Sequence, residues 1–154
     1  MVPTRSALPA PSNRVAILSS GSLQITGLQS ITVVDIPTGS GPVRVIELKM
    51  SGSTIGGLDL LDPCVGHVQT HTTATQEQAT AGLTIDATAL QVTVLGVAVI
   101  LAAADLPTGT LALPGVPLPP LPTDVAFASV KMYVLTISAG STALTGTNVT
   151  PSAC

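Results

Sequence analysis

From Val15 onward, apolar residues come in short runs separated by Gly, Ser, Thr and Pro. That texture predicts strands and turns rather than helices. Residues 15–18, 23–28 and 31–36 have strand length, and the third run is dominated by β-branched side chains. The stretch 37–42, Pro-Thr-Gly-Ser-Gly-Pro, predicts a turn. After it, Arg44, Ile46, Leu48 and Met50 alternate with Val43, Val45, Glu47 and Lys49, which predicts a strand with one buried face. Gly56-Gly57 and Asp62-Pro63 bracket a short apolar piece leading to Cys64. Residues 65–80 are Thr-rich and suit a half-exposed strand, with 74–81 compatible with a helical turn.

The longest apolar run, 83–104, decides the fold class. Its uninterrupted apolar part covers only 94–104, against the ~20 residues a spanning helix needs. Asp86 and Gln91 interrupt it upstream, and Val92, Thr93, Val94, Val97, Val99 and Ile100 are β-branched. Two strands joined by a turn, apolar on both faces and therefore covered on both, are favoured over a membrane helix. Gly96 fits a bulge or a close backbone approach. Residues 125–137 read as another two-faced strand, and Ser138-Ala139-Gly140 as a turn into 142–149.

Residues 106–124 hold six prolines and cannot form a central strand, because proline has no ladder donor. An apolar Pro-rich loop is expected, with Leu111, Leu113, Val116, Leu118 and Leu121 as ligand or subunit contacts. LPTGT at 106–110 lacks the Leu-Pro-x-Thr-Gly order of a sortase signal. Residues 1–14, with Pro3, Pro9 and Pro11, read as an extended, poorly ordered arm able to reach a neighbour. They lack the apolar core of a signal peptide, so a secreted form would be a trimmed one. Residues 15–154 then form one domain.

A weak echo joins GSLQITG (21–27), GTLALPG (109–115) and GSTALTG (140–146), with GSTIGG (52–57) and GLTIDA (82–87) as imperfect copies. Their first glycines fall 31, 30, 27 and 31 residues apart. The spacing fits a turn-plus-strand repeat of about thirty residues, but coincidence in a Gly/Ser/Thr/Leu-rich chain is the favoured reading. The fold expected is all-β: an antiparallel sandwich, or a curved meander or solenoid-like array, closed by one disulfide.

Composition sharpens this. Only 8% of the 154 residues are charged and 1% are aromatic, against about 25% charged in an ordinary domain. Such a surface is prone to associate. Five scattered basic residues and a net charge of −3 argue against nucleic-acid binding. Cys64 and Cys154 are the only thiols; a disulfide in an oxidising compartment is the economical reading, with two reduced cytosolic thiols the alternative.

Catalytic chemistry has little to rest on. His67 and His71 would share a face on a strand but lie about 13 Å apart at ~3.3 Å per residue, so no metal or other cofactor is expected. No Gly-x-Ser-x-Gly elbow or phosphate loop occurs. The carboxylates Asp35, Glu47, Asp59, Asp62, Glu77, Asp86, Asp105 and Asp124 are dispersed and suit turns and edges.

VRVIELKMSG, LDLLDPC, ATAGLTIDATAL and SAGSTALTG, followed by a terminal Cys, span 43–154. Together they resemble an uncharacterised family of secreted actinobacterial proteins, defined as a domain of unknown function. The resemblance implies export, a β-rich domain and a Cys64–Cys154 pair; it implies no activity. The low charge and the proline-rich segment depart from that pattern. The function expected is a non-catalytic secreted or cell-surface structural protein that self-assembles as a homo-oligomer or polymer. The second reading is a carrier for a lipid or other apolar ligand, with 111–121 as its lid. A membrane-associated protein is the third.

Overall fold

The computed structural model describes residues 3–94, 96–112 and 123–154. Among them the chain forms β1 (Ala16–Ser20), β2 (Ser22–Ile36), β3 (Val43–Leu61), β4 (Val68–Val94), β5 (Val97–Ala102), β6 (Gly109–Thr110), β7 (Thr123–Phe127), β8 (Val130–Thr145) and β9 (Asn148–Ala153), with a 3-10 turn at Ala103–Asp105. All pairings are antiparallel and join these strands into one sheet. The all-β expectation holds. No helix is long and apolar enough to cross a membrane among the described residues.

β2, β3 and β4 form a meander whose first hairpin closes on 37–42, where Thr38 and Gly41 exchange backbone hydrogen bonds of 3.1 Å. The sheet then coils on itself. β1 pairs with β3 on one side and β8 on the other, and β4 also pairs with both β3 and β8. The ring does not close flat. Ala87 joins Ile46 to Val134, whereas Val134 leads through Ala16 and its neighbour Ile17 to Leu61, near the far end of β3. The result is a steep coil around an aliphatic core rather than a solenoid.

Strands this long stay in register only by bulging. The β2–β3, β3–β4 and β4–β8 ladders each shift, at Leu28/Ser30, Met50/Ser53 and Thr80/Leu83. Those shifts line up across neighbouring strands along Gly27, Gly52, Gly82 and Gly140. At Gly52 an added Cβ would lie 2.6 Å from the Ala79 carbonyl oxygen, and Gly27 has φ +60°. Asp124 secures the line by accepting the Gly27 N–H at 2.9 Å. Three of the echoed segments, 52–57, 82–87 and 140–146, begin on this line, but among the described residues only 21–27 and 52–57 pair with each other, so the echo does not correspond to stacked repeats.

This bending corrects several boundaries. Runs 23–28 and 31–36 are one strand, β2, because the chain bulges at Gln29, between Leu28 and Ser30, instead of turning. Residues 74–81 lie inside β4 rather than in a helical turn. Residues 125–137 split into β7 and β8, and Ser138-Ala139-Gly140 continues β8 to Thr145. Gly96, φ +78°, belongs to the turn between β4 and β5, not to a bulge.

The core has two parts. The main cluster fills the coil with Leu23, Ile25, Leu28, Ile31, Ile46, Leu48, Met50, Ile85, Leu90 and Leu101, including the Ile46, Leu48 and Met50 face predicted to be buried. A second cluster, Val15, Ala89, Ala102 and Tyr133, lies apart from it, with Leu8, Ile17 and Leu135 packed against it. Both sides of the 83–104 hairpin are therefore covered within one chain except at its tip, where Val97 is 61% exposed. The N-terminal arm supplies part of the second cover. It folds back on its own domain. The Arg5 N–H donates to the Ile100 carbonyl at 2.9 Å, and the Tyr133 hydroxyl donates to the Pro9 carbonyl at 2.6 Å. The Arg5 guanidinium clasps Asp105 at 2.6 and 3.0 Å.

Cys64 and Cys154 form a disulfide, with Cα atoms 6.1 Å apart and a sequence separation of 90. It ties the end of β9 to the β3–β4 turn, where the Cys154 N–H also donates to the His67 carbonyl at 3.1 Å.

Two outcomes are expected. Cys64→Ser with Cys154→Ser should lose up to about 4–5 kcal/mol, the loop-closure entropy of a crosslink this long, measured by urea denaturation. Gly52→Ala should lose about 1–3 kcal/mol in the same assay, because its methyl group must displace a backbone carbonyl; Gly39→Ala, with open space around it, serves as the control.

Candidate functional site

Most charged side chains are committed to structure. Arg44 binds Asp35 at 2.9 and 3.2 Å and donates to the Leu106 carbonyl at 3.0 Å. The Arg44 and Arg5 guanidiniums hold the Asp35 and Asp105 carboxyls below their ordinary range.

His67 stands in the turn before β4 with φ +69°, so it does not share a strand face with His71 as the sequence pattern predicts. His71 Nε2 lies 2.7 Å from Asp59 Oδ1, with both side chains well exposed. Ser19 is the register partner of Asp59, but no hydroxyl lies within hydrogen-bond distance of His71 among the described residues. A hydrolytic relay needs the imidazole between acid and nucleophile, and this arrangement does not provide it. No group of three metal-capable side chains forms among the described residues.

The fold does bring two dispersed carboxylates together. Glu47 and Asp86 are cross-strand partners on β3 and β4. The Thr136 hydroxyl donates to Asp86 Oδ2 at 2.7 Å, while Asp86 Oδ1 is buried without a partner. Asp86 beside Glu47, followed by burial, pushes the Glu47 carboxyl up; Lys49, with Nζ at 3.6 Å, opposes this only in part. The pair lines none of the cavities described below. Sequence reasoning missed it because only strand register makes these two residues neighbours.

Three cavities bear on ligand binding. One of about 370 Å³ is bounded by Ser19, Asp59, Gln91, Ser129 and Lys131. A second, about 280 Å³, is the mouth of the coil, where Leu18, Leu60, Val134 and Ile137 surround Glu77 and Arg14 reaches the rim. Burial there pushes the Glu77 carboxyl up. A third, about 230 Å³, touches Leu111. Leu111 itself is 5% exposed and belongs to the main core, with its N–H donating to the Ile31 carbonyl at 2.9 Å. It is a packing residue rather than a surface contact. Leu113, Val116, Leu118 and Leu121 lie outside the described residues.

The most distinctive surface is the outer half of β8. β1 accompanies β8 only from Val130 to Val134. Beyond that point β8 keeps β4 as its single neighbour among the described residues. Residues 137–145 are exposed on both faces, as is all of β9. β9 follows β8 along the same strand, pairing with β4 from Val68 to Thr73. No charged side chain occurs after Lys131. The large apolar groups Ile137, Leu144 and Val149 are 46%, 46% and 57% exposed. An unpaired strand edge offers a row of N–H and C=O groups to another strand, so this is a site for backbone pairing rather than for bond chemistry.

One pH effect follows from the carboxyl pair. The folded-state pKa of Glu47 is raised above its ordinary 4.5, so its protonated form stabilises the fold below that pH. That contribution is lost as pH rises through the raised value. Glu47→Gln should therefore be more stable than the parent at pH 7, with the difference vanishing near pH 4, as read from urea midpoints across pH. Comparison with family models, with curated proteins and with solved structures finds no match to this chain.

Proposed function

We propose that this protein is a non-catalytic, extracytoplasmic structural subunit that associates with copies of itself. The observation carrying this reading is the β8–β9 ribbon: a long strand edge, uncharged and exposed on both faces. Soluble proteins commonly guard such edges with Lys, Pro or a covering segment. β9 carries Pro151 and β5 receives the arm through Arg5, but β8 has neither device. The disulfide favours an oxidising compartment, which supports secretion or display at the cell surface. The scarcity of charge, 8% of residues, leaves little repulsion between copies at close range.

A carrier of a small apolar ligand is the second reading, and the mouth around Glu77 supports it. At about 280 Å³ that space falls just under the roughly 300–1,000 Å³ of usual small-molecule sites. The coil behind it is filled by side chains, so acyl chains and sterols fit poorly.

Sedimentation velocity from micromolar to millimolar protein tests the leading reading. Concentration-dependent association at neutral pH is expected, without co-purifying lipid by native mass spectrometry. A clean monomer throughout the range would overturn it, and a stoichiometric apolar ligand would favour the carrier.

A further inference from the structure

We infer that two copies of this chain join by antiparallel pairing of the outer edges of β8, over residues 136–145, into a closed two-fold dimer. The inference rests on the self-association reading and specifies its partner and geometry.

Four features point to this edge and to a second copy. β1 ends opposite Val134, so the following residues of β8 direct every second pair of backbone groups away from β4, unmet within the described residues. Both faces of 137–145 are exposed; Arg14 and Glu77 share a cavity with Ile137 at the inner end of this stretch. The segment Ser138-Ala139-Gly140-Ser141-Thr142-Ala143 is small and neutral. Two such edges approach without like-charge repulsion, whereas the protein as a whole carries −3. Finally, the other edges are poor partners. β5 takes the Arg5 N–H at Ile100, β6 has two residues, β7 has five, and β9 contains Pro151.

Symmetry then decides the form of the assembly. A strand pairing with its own copy uses the same patch on both sides, which closes a dimer and leaves that patch consumed. A filament requires a second, complementary edge, and none of comparable length is free among the described residues. The joined sheet would run β4–β8–β8–β4 through the two-fold axis. Ile137 and Leu144 would lie at either end of the shared segment, where the partner's strand covers part of their exposed surface.

The experiment compares the full-length parent with Ala139→Lys, Ala143→Lys and Ala143→Thr. Dimer dissociation is measured by sedimentation equilibrium, and amide exchange is followed at two protein concentrations. Ala139 and Ala143 are exposed, so the fold should survive, as checked by urea midpoints. Each Lys places like charges across the new pair and should weaken dimerisation by about tenfold or more, whereas Ala143→Thr should leave it within about twofold. Amides of 136–145 should become slower to exchange at the higher concentration. Association that persists in both Lys variants, with protection appearing elsewhere, would overturn β8 pairing while leaving self-association intact. A parent that stays monomeric would overturn both.

Discussion

An extended chain can satisfy its backbone N–H and C=O groups only through neighbouring strands or water. β4, with 27 residues, is where this requirement organises the molecule, since β3, β5, β8 and β9 all pair with it. With so few charged and aromatic side chains, these ladders and the aliphatic interior do the work that ion pairs and ring stacking share elsewhere. A strand of that length cannot stay flat beside partners that twist. The line of bulges through Gly27, Gly52, Gly82 and Gly140 bends the strands, sharpens the local twist and lets the sheet wrap its own core. Glycine is required where neighbouring backbones come too close for a Cβ, as Gly52 does against Ala79.

Coiling leaves a second apolar surface outside the coil, on Ala89, Ala102 and Tyr133. The N-terminal arm meets it with Leu8 and with the Pro9 carbonyl, which accepts from the buried Tyr133 hydroxyl. Without that acceptor the hydroxyl would be buried unpaired or exposed along with its ring. The Arg5–Asp105 pair is exposed on both sides and sets the position of the arm more than it adds stability. The cover for the central hairpin therefore comes from within the chain, and the proposed contact with a neighbour moves from a sheet face to a strand edge.

Strand content, the two-faced hairpin at 83–104 and the buried Ile46, Leu48 and Met50 were legible because period-2 patterning and β-branched residues act locally. Turns and bulges were not separable. Gly and Ser signal both, and only the neighbouring strand decides which forms; hence Ser138-Ala139-Gly140 continues β8. The Glu47–Asp86 pair was invisible for the same reason, since register brings the two together. The open edge was half legible: the absence of charge after Lys131 is plain in the sequence, but β1 stopping opposite Val134 is a fact of topology.

The disulfide bears on the open edge as well as on stability. β9 is exposed throughout and pairs with a single strand, so a free C-terminus would fray and loosen the end of β8 next to it. Fixing Cys154 to Cys64 holds this ribbon extended before any partner arrives. An edge already ordered loses less conformational entropy on pairing than one that must first be straightened. Reduction of Cys64–Cys154 thus removes a crosslink from the fold and also disorders the strand next to the one the edge depends on. Fold closure and the proposed association are coupled through the same covalent bond.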